Sequence, residues 1–213
     1  MGESTGALFT VPRCDACDKP AVVEQAYSGR ILCGKHLAKS VRKKISKELR
    51  LQLPLVKGEH TTILVAVSGG KDSAVLLDAI VDLVGQRRDV TIIAGTVDEG
   101  IEGYRPPSIE CAASLCERLG VEHHVVNYPE LSFIEMDEVV KRLPMVMAKD
   151  NDAPRMACSY CGVFRRQGIN HLAAKVGADV IALGHNLDDM AQTVLMNMAN
   201  ADIERTLRLA PHT

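Results

Sequence analysis

The sequence predicts an α/β protein with a doubly wound parallel sheet, preceded by a small Cys/His module and a basic helix. Short β-branched segments alternate with amphipathic segments over most of the chain, as in a parallel sheet with helices on both faces. A glycine-rich turn follows the first such segment, and two Cys/His pairs precede it. We therefore expect a flexible tail over residues 1–13, a knuckle and basic helix over 14–57, and an α/β domain over 58–213.

The composition excludes several classes of protein. The 213 residues are 46% hydrophobic and 24% charged, with a net charge of −2, as in ordinary globular proteins rather than polycations. No run reaches the roughly 18 apolar residues of a membrane span, and the N-terminus lacks a signal-peptide pattern. We expect a cytoplasmic protein without a membrane partner, in which the seven cysteines serve metal binding or catalysis rather than disulfides.

Two chelating pairs lie near the N-terminus, Cys14-x-x-Cys17 and Cys33-x-x-His36. Their four ligands and turn-rich spacer are typical of a closed structural Zn²⁺ site; chance cysteines beside a helix-start histidine are the less favoured alternative. A closed site leaves no open position for catalysis, so we expect the metal to support folding and to anchor the next helix.

That helix is predicted over residues 36–50 because apolar residues recur at every fourth position. They are Leu37, Val41, Ile45 and Leu49. From Lys35 to Arg50 the segment carries seven Lys/Arg and one Glu, which fits either a solvated face or a nucleic-acid footprint. The candidate RNA contacts are Lys39, Arg42, Lys43 and Lys47. Pro54 and Gly58 mark a linker to the larger domain.

The larger domain alternates predicted strands and helices. The strands are Thr62–Val67, Val90–Val97, Val121–Asn127 and Val180–Leu183. The helices are Asp72–Val84, Pro107–Leu119 and Gly162–Val176, with another after Leu187. Ligands of such sheets bind beyond the carboxyl ends of the strands, where Ser68, Asp98 and Gly184 fall.

The glycine turn "SGGKDS" follows the first strand directly. Gly69 and Gly70 let backbone N–H groups approach an anion, and the next helix points its positive N-terminus at the same place. Ser68 and Ser73 add hydroxyl donors, and Lys71 adds charge. The spacing is not that of a Walker A loop, and a plain strand-to-helix turn is the weaker alternative. The turn resembles the pyrophosphate loop of the ATP pyrophosphatase superfamily, which implies cleavage of ATP between its α- and β-phosphates, with AMP transfer.

Cys158-x-x-Cys161 precedes a predicted helix and lies beside Arg165 and Arg166. A helix N-terminus and neighbouring arginines favour a thiolate. Four interpretations of the pair remain open: a redox pair, half of a second zinc site, two ligands of an iron–sulfur cluster, or two inert buried cysteines.

"GHNLDD" follows the last predicted strand. His185, Asp188 and Asp189 fall at its carboxyl end, where carboxylates orient Mg²⁺ or act on a proton; a simple charge pair at a helix N-terminus is the alternative. Asp98, Glu99 and Gly100, after the second strand, are interpreted as reading the base or ribose edge of a nucleotide.

In this order the motifs resemble the TtuA/NcsA group of tRNA 2-thiouridine synthetases, within the ATP pyrophosphatase (PP-loop) superfamily. The resemblance covers about residues 14–200, and "DEGIEGYR" is closer to the branch that thiolates the wobble uridine. It implies ATP-dependent adenylation of the uridine C2 oxygen, followed by sulfur transfer that yields 2-thiouridine.

The resemblance also implies roles for residues. ATP contacts are implied for Ala66, Ser68, Gly69, Gly70, Lys71, Asp72, Ser73, Val97, Arg165, Gly184 and Asp189. Cys158 and Asp189 would be catalytic, and Cys158 and Cys161 would hold two of three thiolate positions on a 4Fe–4S cluster. The implied partners are tRNA, a sulfur donor (sulfide or a ubiquitin-like carrier protein) and a second copy in a homodimer.

Two departures from the group stand out. Arg165 replaces a lysine found in some relatives, which keeps the charge but alters its geometry. Relatives continue past "LAPHT", and no cysteine follows Cys161 here, so we expect a fragment without the third cluster ligand. The competing functions are a zinc-knuckle RNA-binding scaffold with a nonfunctional nucleotide fold, a cytidine thiolase and a lysidine synthetase.

Overall fold

The computed structural model describes residues 11–53, 55–56, 58–150 and 154–207. The chain divides into two compact units between Arg50 and Leu51, seven residues before the boundary expected from the sequence. Residues 1–10 of the expected tail lie outside the described residues. Arg13 forms a bridge with Pro20, so the ordered part of the first unit begins before Cys14.

The first unit is a β-hairpin followed by a long helix. Strands β1 (Val23–Gln25) and β2 (Arg30–Leu32) pair antiparallel, a hairpin that the sequence analysis does not predict. Helix α1 spans Gly34–Gln52, which confirms the basic helix and extends it by two residues at each end. The core consists of Leu32 with the Cys14 and Cys33 side chains. So small a core needs support from a metal or an equivalent cross-link.

The second unit contains a four-stranded parallel sheet with the strand order β5-β4-β3-β6. The strands are β3 (Thr61–Ala66), β4 (Val90–Asp98), β5 (Glu122–Asn127) and β6 (Val180–Ala182). The helices are α2 (Lys71–Val84), α3 (Arg105–Leu119), α4 (Met136–Lys149), α5 (Ala157–Val176), α6 (Leu187–Ala199) and α7 (Ile203–Leu207). The predicted fold class is confirmed.

Burial explains the arrangement of the sheet. Strand β3 lies in its interior, and Ile63, Leu64 and Val65 are fully buried, as continuous apolar runs in parallel sheets are. A core on the α5 side joins Leu64 to Val97, and Tyr128 packs into it. The carboxyl ends of β3, β4 and β6 therefore meet at one edge, as predicted.

Three helices differ from the sequence analysis, and the shortest of them, α7, is not predicted. Helix α4 is not predicted, and Pro144 in its interior masks its pattern because proline ordinarily interrupts helices. Helix α5 begins at Ala157 rather than at Gly162. Cys158 and Cys161 are therefore the second and fifth residues of the helix rather than preceding it, and their spacing puts them on one face of α5.

No described helix is both long and apolar enough to cross a membrane.

Candidate nucleotide and metal sites

A cavity of about 440 Å³ opens at the carboxyl edge of the sheet, within the size range of small-molecule sites. Ala66, Val97 and Ile181 form an apolar part of its wall, while Glu99 and Arg165 supply charge. The size and mixed lining suit a flat apolar ring that carries an anionic tail.

The loop after β3 is organised by Ser73. Its hydroxyl donates to the Gly70 carbonyl (3.0 Å) and accepts from the backbone N–H of Ser68 (3.1 Å). The Ser73 side chain is buried, and its proton is used within the loop. The hydroxyl therefore shapes the turn, and donation from Ser73 to a bound anion stays a prediction.

Two glycines of the site are required by close approach. Gly69 has φ +83°, and a Cβ there would lie 2.1 Å from the Ser108 carbonyl oxygen in the first turn of α3. A Cβ on Gly184 would lie 3.1 Å from the Ser73 Cα. Helix α3 and the end of β6 thus pack directly against the loop, where a larger residue would push them away.

Lys71 and Asp72 are exposed and pair with each other, with Nζ and Oδ2 2.8 Å apart. The hydrogen bond to Asp72 raises the pKa of Lys71, and the charge of Asp189 adds to that rise. Lys71 therefore keeps its positive charge at the start of α2, close enough to Asp189 to interact with it.

Glu99 joins two arginines at the cavity. Its Oε2 lies 2.7 Å from Arg105 Nε, and its Oε1 accepts a 2.8 Å hydrogen bond from Arg165 Nε. Only 3% of the Glu99 side chain is exposed. Glu99 also lines the cavity, with both carboxylate oxygens paired with guanidinium groups, and the interpretation that it reads the edge of a nucleotide stays a prediction.

Arg105 uses its remaining nitrogens on the ends of two strands. Nη1 donates to the Ser68 carbonyl (3.1 Å), and Nη2 donates to the Val97 carbonyl. The Ser68 carbonyl lies in the loop after β3, and the Val97 carbonyl lies near the end of β4, so one buried guanidinium ties that loop to the end of β4 at the mouth of the cavity.

The first turn of α5 brings a thiol to the same site. Arg165 Nη2 lies 3.3 Å from Cys161 Sγ, and the buried Tyr128 hydroxyl lies 3.7 Å from it. Burial, then the hydrogen bond with Cys161, raises the pKa of Tyr128, so this hydroxyl remains a donor. Cys158, in the same turn, is exposed.

Asp189 closes a capping box at the start of α6. Its carboxylate accepts from the backbone N–H of Asn186 (2.9 Å), while its own N–H donates to the Asn186 side chain (3.0 Å). Such a box satisfies two N–H groups that a helix start leaves open. His185 lines the cavity immediately before this cap.

The four predicted ligands of the N-terminal site come together as expected. The ligand atoms of Cys14, Cys17, Cys33 and His36 lie within 4.8 Å of one another. His36 Nδ1 lies 3.4 Å from both Cys14 Sγ and Cys33 Sγ and 3.5 Å from Cys17 Sγ, and Cys17 Sγ lies 3.7 Å from Cys33 Sγ. A tetrahedral zinc ion separates such ligand atoms by about 3.5–3.8 Å, so the set fits this ion.

The predicted nucleic-acid contacts are solvent-accessible. Lys39, Arg42, Lys43 and Lys47 are exposed on α1. Their neighbour Lys44 instead lies over the Tyr27 ring, 4.0 Å from its centroid, and donates to the Tyr27 hydroxyl.

The family described as PP-loop domain matches residues 38–210. The chain belongs to the PP-loop family. A second description, 2-thiouridine synthetase TtuA, N-terminal LIM domain, matches residues 13–38, which include the four clustered ligands.

Among curated relatives of this PP-loop chain, the tRNA 2-thiolation protein NcsA of Haloferax volcanii is 39% identical over 92% of the chain and 60% of its own length. Cytoplasmic tRNA 2-thiolation protein 1 of Danio rerio is 35% identical over 92% and 54% respectively. A solved structure, the U34-tRNA thiolase NcsA from Methanococcus maripaludis with its [4Fe-4S] cluster, is similar with a TM-score of 0.75 and 33% identity, over 93% of this chain and 62% of that one. The chain thus spans less than two thirds of each of these proteins.

The structure of the PP-loop unit also reveals residues that the sequence analysis missed. Arg105 stands inside "GYR" at the start of α3, and Tyr128 follows β5. Their partners lie 8–37 residues away along the chain, so no local spacing predicts these contacts. Arg105 ends the "DEGIEGYR" segment of the family resemblance, but that segment alone gives no role for its side chain.

Proposed function

We propose that this chain is the ATP-binding part of a tRNA sulfurtransferase that makes 2-thiouridine at the wobble position. The observation that carries the proposal is that one side chain, Arg165, connects the cavity beside the phosphate-type loop to the cysteine pair. Arg165 lines the cavity and also contacts Cys161 Sγ at 3.3 Å. An enzyme that activates an oxygen with ATP and then replaces it with sulfur needs both groups within reach of one substrate atom.

The names of the relatives support the same reaction. Two curated relatives are called tRNA 2-thiolation proteins, and the similar solved structure is called a U34-tRNA thiolase. The fish relative is also named cytoplasmic, in line with the cytoplasmic location that we propose here.

The first step is adenylation. The N–H groups of Gly69 and Gly70, with the N-terminus of α2, bind the ATP phosphates, and Ala66 and Val97 contact the adenine. The uracil C2 oxygen attacks the α-phosphorus, the bond to the β-phosphate oxygen breaks, and pyrophosphate leaves. Lys71 and Arg165 stabilise the charge that develops on the phosphates. We propose that Asp72 and Asp189 hold Mg²⁺, with Asp189 as the catalytic carboxylate.

The second step replaces oxygen with sulfur. A C2–S bond forms, the C2–O bond breaks, and AMP leaves with the former uracil oxygen. Cys158 and Cys161 present two thiols from one helical turn, which fit two ligand positions of a 4Fe–4S cluster. When bound, such a cluster supplies an iron with an open coordination position for the sulfur. Arg165 and Tyr128 hold Cys161 in place for this role.

Partners follow from the reaction. The tRNA substrate is polyanionic, and the exposed cations of α1 supply a sequence-independent contribution to its binding. We propose Zn²⁺ for the N-terminal ligands, which rests on their spacing and on the distances between the four ligand atoms. Sulfide or a ubiquitin-like thiocarboxylate as sulfur donor, and a homodimer, rest on the family resemblance.

The decisive experiment is nucleoside analysis of tRNA after reaction. Unmodified tRNA is incubated anaerobically with iron-reconstituted protein, ATP-Mg²⁺ and sulfide, both for this chain and for a version extended to match the length of the relatives. We expect 2-thiouridine that requires ATP and Cys158. Cys158→Ala should abolish it while ATP still binds, and Cys111→Ala, which removes another exposed cysteine, should not.

Thiolation by Cys158→Ala at the wild-type level would refute the assignment of this cysteine. RNA binding without nucleotide affinity in the parent chain would instead favour the scaffold, and a thiolated cytidine would favour the related cytidine enzyme.

A further inference from the structure

Glu99 lies between the two arginines that lead to the phosphate loop and to the cysteine pair. It is 2% exposed and lines the cavity. Each of its carboxylate oxygens faces a different arginine, Arg105 on α3 and Arg165 on α5. A buried carboxylate that serves two cations on separate elements fixes their relative positions.

The first arginine leads to the phosphate loop. Arg105 Nε lies 2.7 Å from Glu99 Oε2 as an ion pair without the alignment of a hydrogen bond, and the two other nitrogens of its planar guanidinium donate to the Ser68 and Val97 carbonyls. Ser68 immediately precedes Gly69, whose close contact with α3 leaves no room for a side chain. The position of the loop is therefore set through Arg105, and the orientation of Arg105 is set by Glu99.

The second arginine leads to the cysteine pair. Arg165 spends Nε on Glu99 and points Nη2 at Cys161 Sγ. Its side chain is 57% exposed, so without Glu99 it has many other rotamers available. Because Arg165 also lines the cavity, an incoming phosphate competes with the sulfur for the same guanidinium.

We propose that Glu99 is a positioning residue that couples the nucleotide site to Cys161 through Arg105 and Arg165. This inference rests on the proposed function, since coupling has a purpose only if ATP chemistry and sulfur chemistry share the site. Binding of nucleotide pulls Arg165 towards the phosphates and away from Cys161, and the fixed Nε end acts as the pivot. The reactivity of Cys161 thereby depends on whether nucleotide is bound, although Cys161 does not contact the nucleotide.

The test measures two quantities on the whole chain, loaded with one equivalent of zinc and without added iron. The first is the affinity for a non-hydrolysable ATP analogue with Mg²⁺. The second is the rate of alkylation of Cys161 by iodoacetamide, resolved by peptide mass spectrometry and divided by the rate at Cys158, with and without saturating analogue.

In the wild type we expect the analogue to lower the alkylation rate of Cys161 relative to Cys158 by about fivefold or more, the lower end of usual coupling between sites. In Glu99→Gln the alkylation rate of Cys161 should already be low without nucleotide, and saturating analogue should change it by less than about twofold. This variant should also bind the analogue about tenfold more weakly. Asp89→Asn is the matched control, because it breaks another two-point arginine–carboxylate pair, with Arg87, and should behave as the wild type in both measurements.

Simple shielding by the nucleotide predicts something different. It slows Cys161 in Glu99→Gln as much as in the wild type and leaves the nucleotide-free rate unchanged, and that result would overturn the proposal. So would an unresponsive wild type. If Glu99→Gln does not fold, Glu99→Asp replaces it in the test, because it keeps the charge but is one methylene too short to reach both arginines. Wild-type coupling in Glu99→Asp would also overturn the proposal.

Neither measurement involves tRNA. A chain that shows the coupling but never thiolates tRNA refutes the proposed function alone, whereas thiolation without coupling refutes only the role of Glu99.

Discussion

Replacement of Gly69 by alanine should destabilise the second unit, whereas the same change at Gly70 should not. Gly69 has φ +83°, and a left-handed conformation costs a residue with a Cβ roughly 1–2 kcal/mol. The added Cβ would also lie 2.1 Å from the Ser108 carbonyl oxygen, so α3 must shift, and overpacking of this kind costs about 1–3 kcal/mol. We take about 3 kcal/mol for the sum.

Gly70 provides the internal control. Its backbone is extended, with φ −86°, and an added Cβ meets only the Ser68 hydroxyl at 3.4 Å. Alanine in place of glycine at a helix N-cap costs less than about 1 kcal/mol. The two substitutions are chemically identical and adjacent, so any difference between them comes from the backbone and from α3.

The assay is thermal unfolding followed by far-UV circular dichroism. For a unit of this size 1 kcal/mol corresponds to roughly 2–4 °C, so Gly69→Ala should lower Tm by about 6–12 °C and Gly70→Ala by less than about 4 °C. Equal Tm values for the two variants would show that the contact between the loop and α3 does not constrain the fold, and the reasoning would fail.

Three further predictions concern other parts of the chain. His36→Ala should reduce bound zinc from one ion per chain to none, measured by elemental analysis, with loss of helical signal from α1; an undiminished zinc content would remove the site. Burial lowers the pKa of His123, and the charge of His124 adds to this; the folded state then binds fewer protons than the unfolded chain, so stability falls as pH drops through the unfolded value of about 6.5. His123→Gln, which keeps a donor to Thr96 Oγ1 (2.8 Å in the wild type), should lose less Tm than the wild type between pH 7.5 and 5.0, and parallel losses would contradict this. Gly184→Ala should weaken binding of an ATP analogue by about fivefold, because displacement of the loop by a few tenths of an ångström misplaces its donors, while Gly34→Ala, with open space around its Cβ position, should bind as the wild type in calorimetry.

The parts of the molecule that local sequence determines were predictable. Ile63, Leu64 and Val65 form a β-branched and apolar run before two glycines, and such a run has few alternatives to a buried strand. The N-terminal metal ligands were equally predictable, because the spacing of a chelating pair is a local property that does not depend on how the other elements pack.

What escaped prediction depends on distant partners. The ion pairs of Glu99 were not predictable, because nothing in "VDEG" indicates two arginines 6 and 66 residues further on. The start of α5 was placed too late, because the spacing of Cys158 and Cys161 is also that of a loop motif. The hydrogen bond from Ser73 to the Gly70 carbonyl depends on the shape of the turn, which the residue types alone do not give.

The contact between Gly69 and Ser108 has a consequence for anyone who wishes to transplant this nucleotide site. The six residues "SGGKDS" do not form the site by themselves, because the shape of their turn depends on contact with the first turn of a helix that starts 32 residues after the motif ends. A graft onto another parallel sheet would have to carry Arg105 and its helix as well, in the same register to the loop. A search that scores the short motif alone therefore detects only one of the two segments that form the nucleotide site.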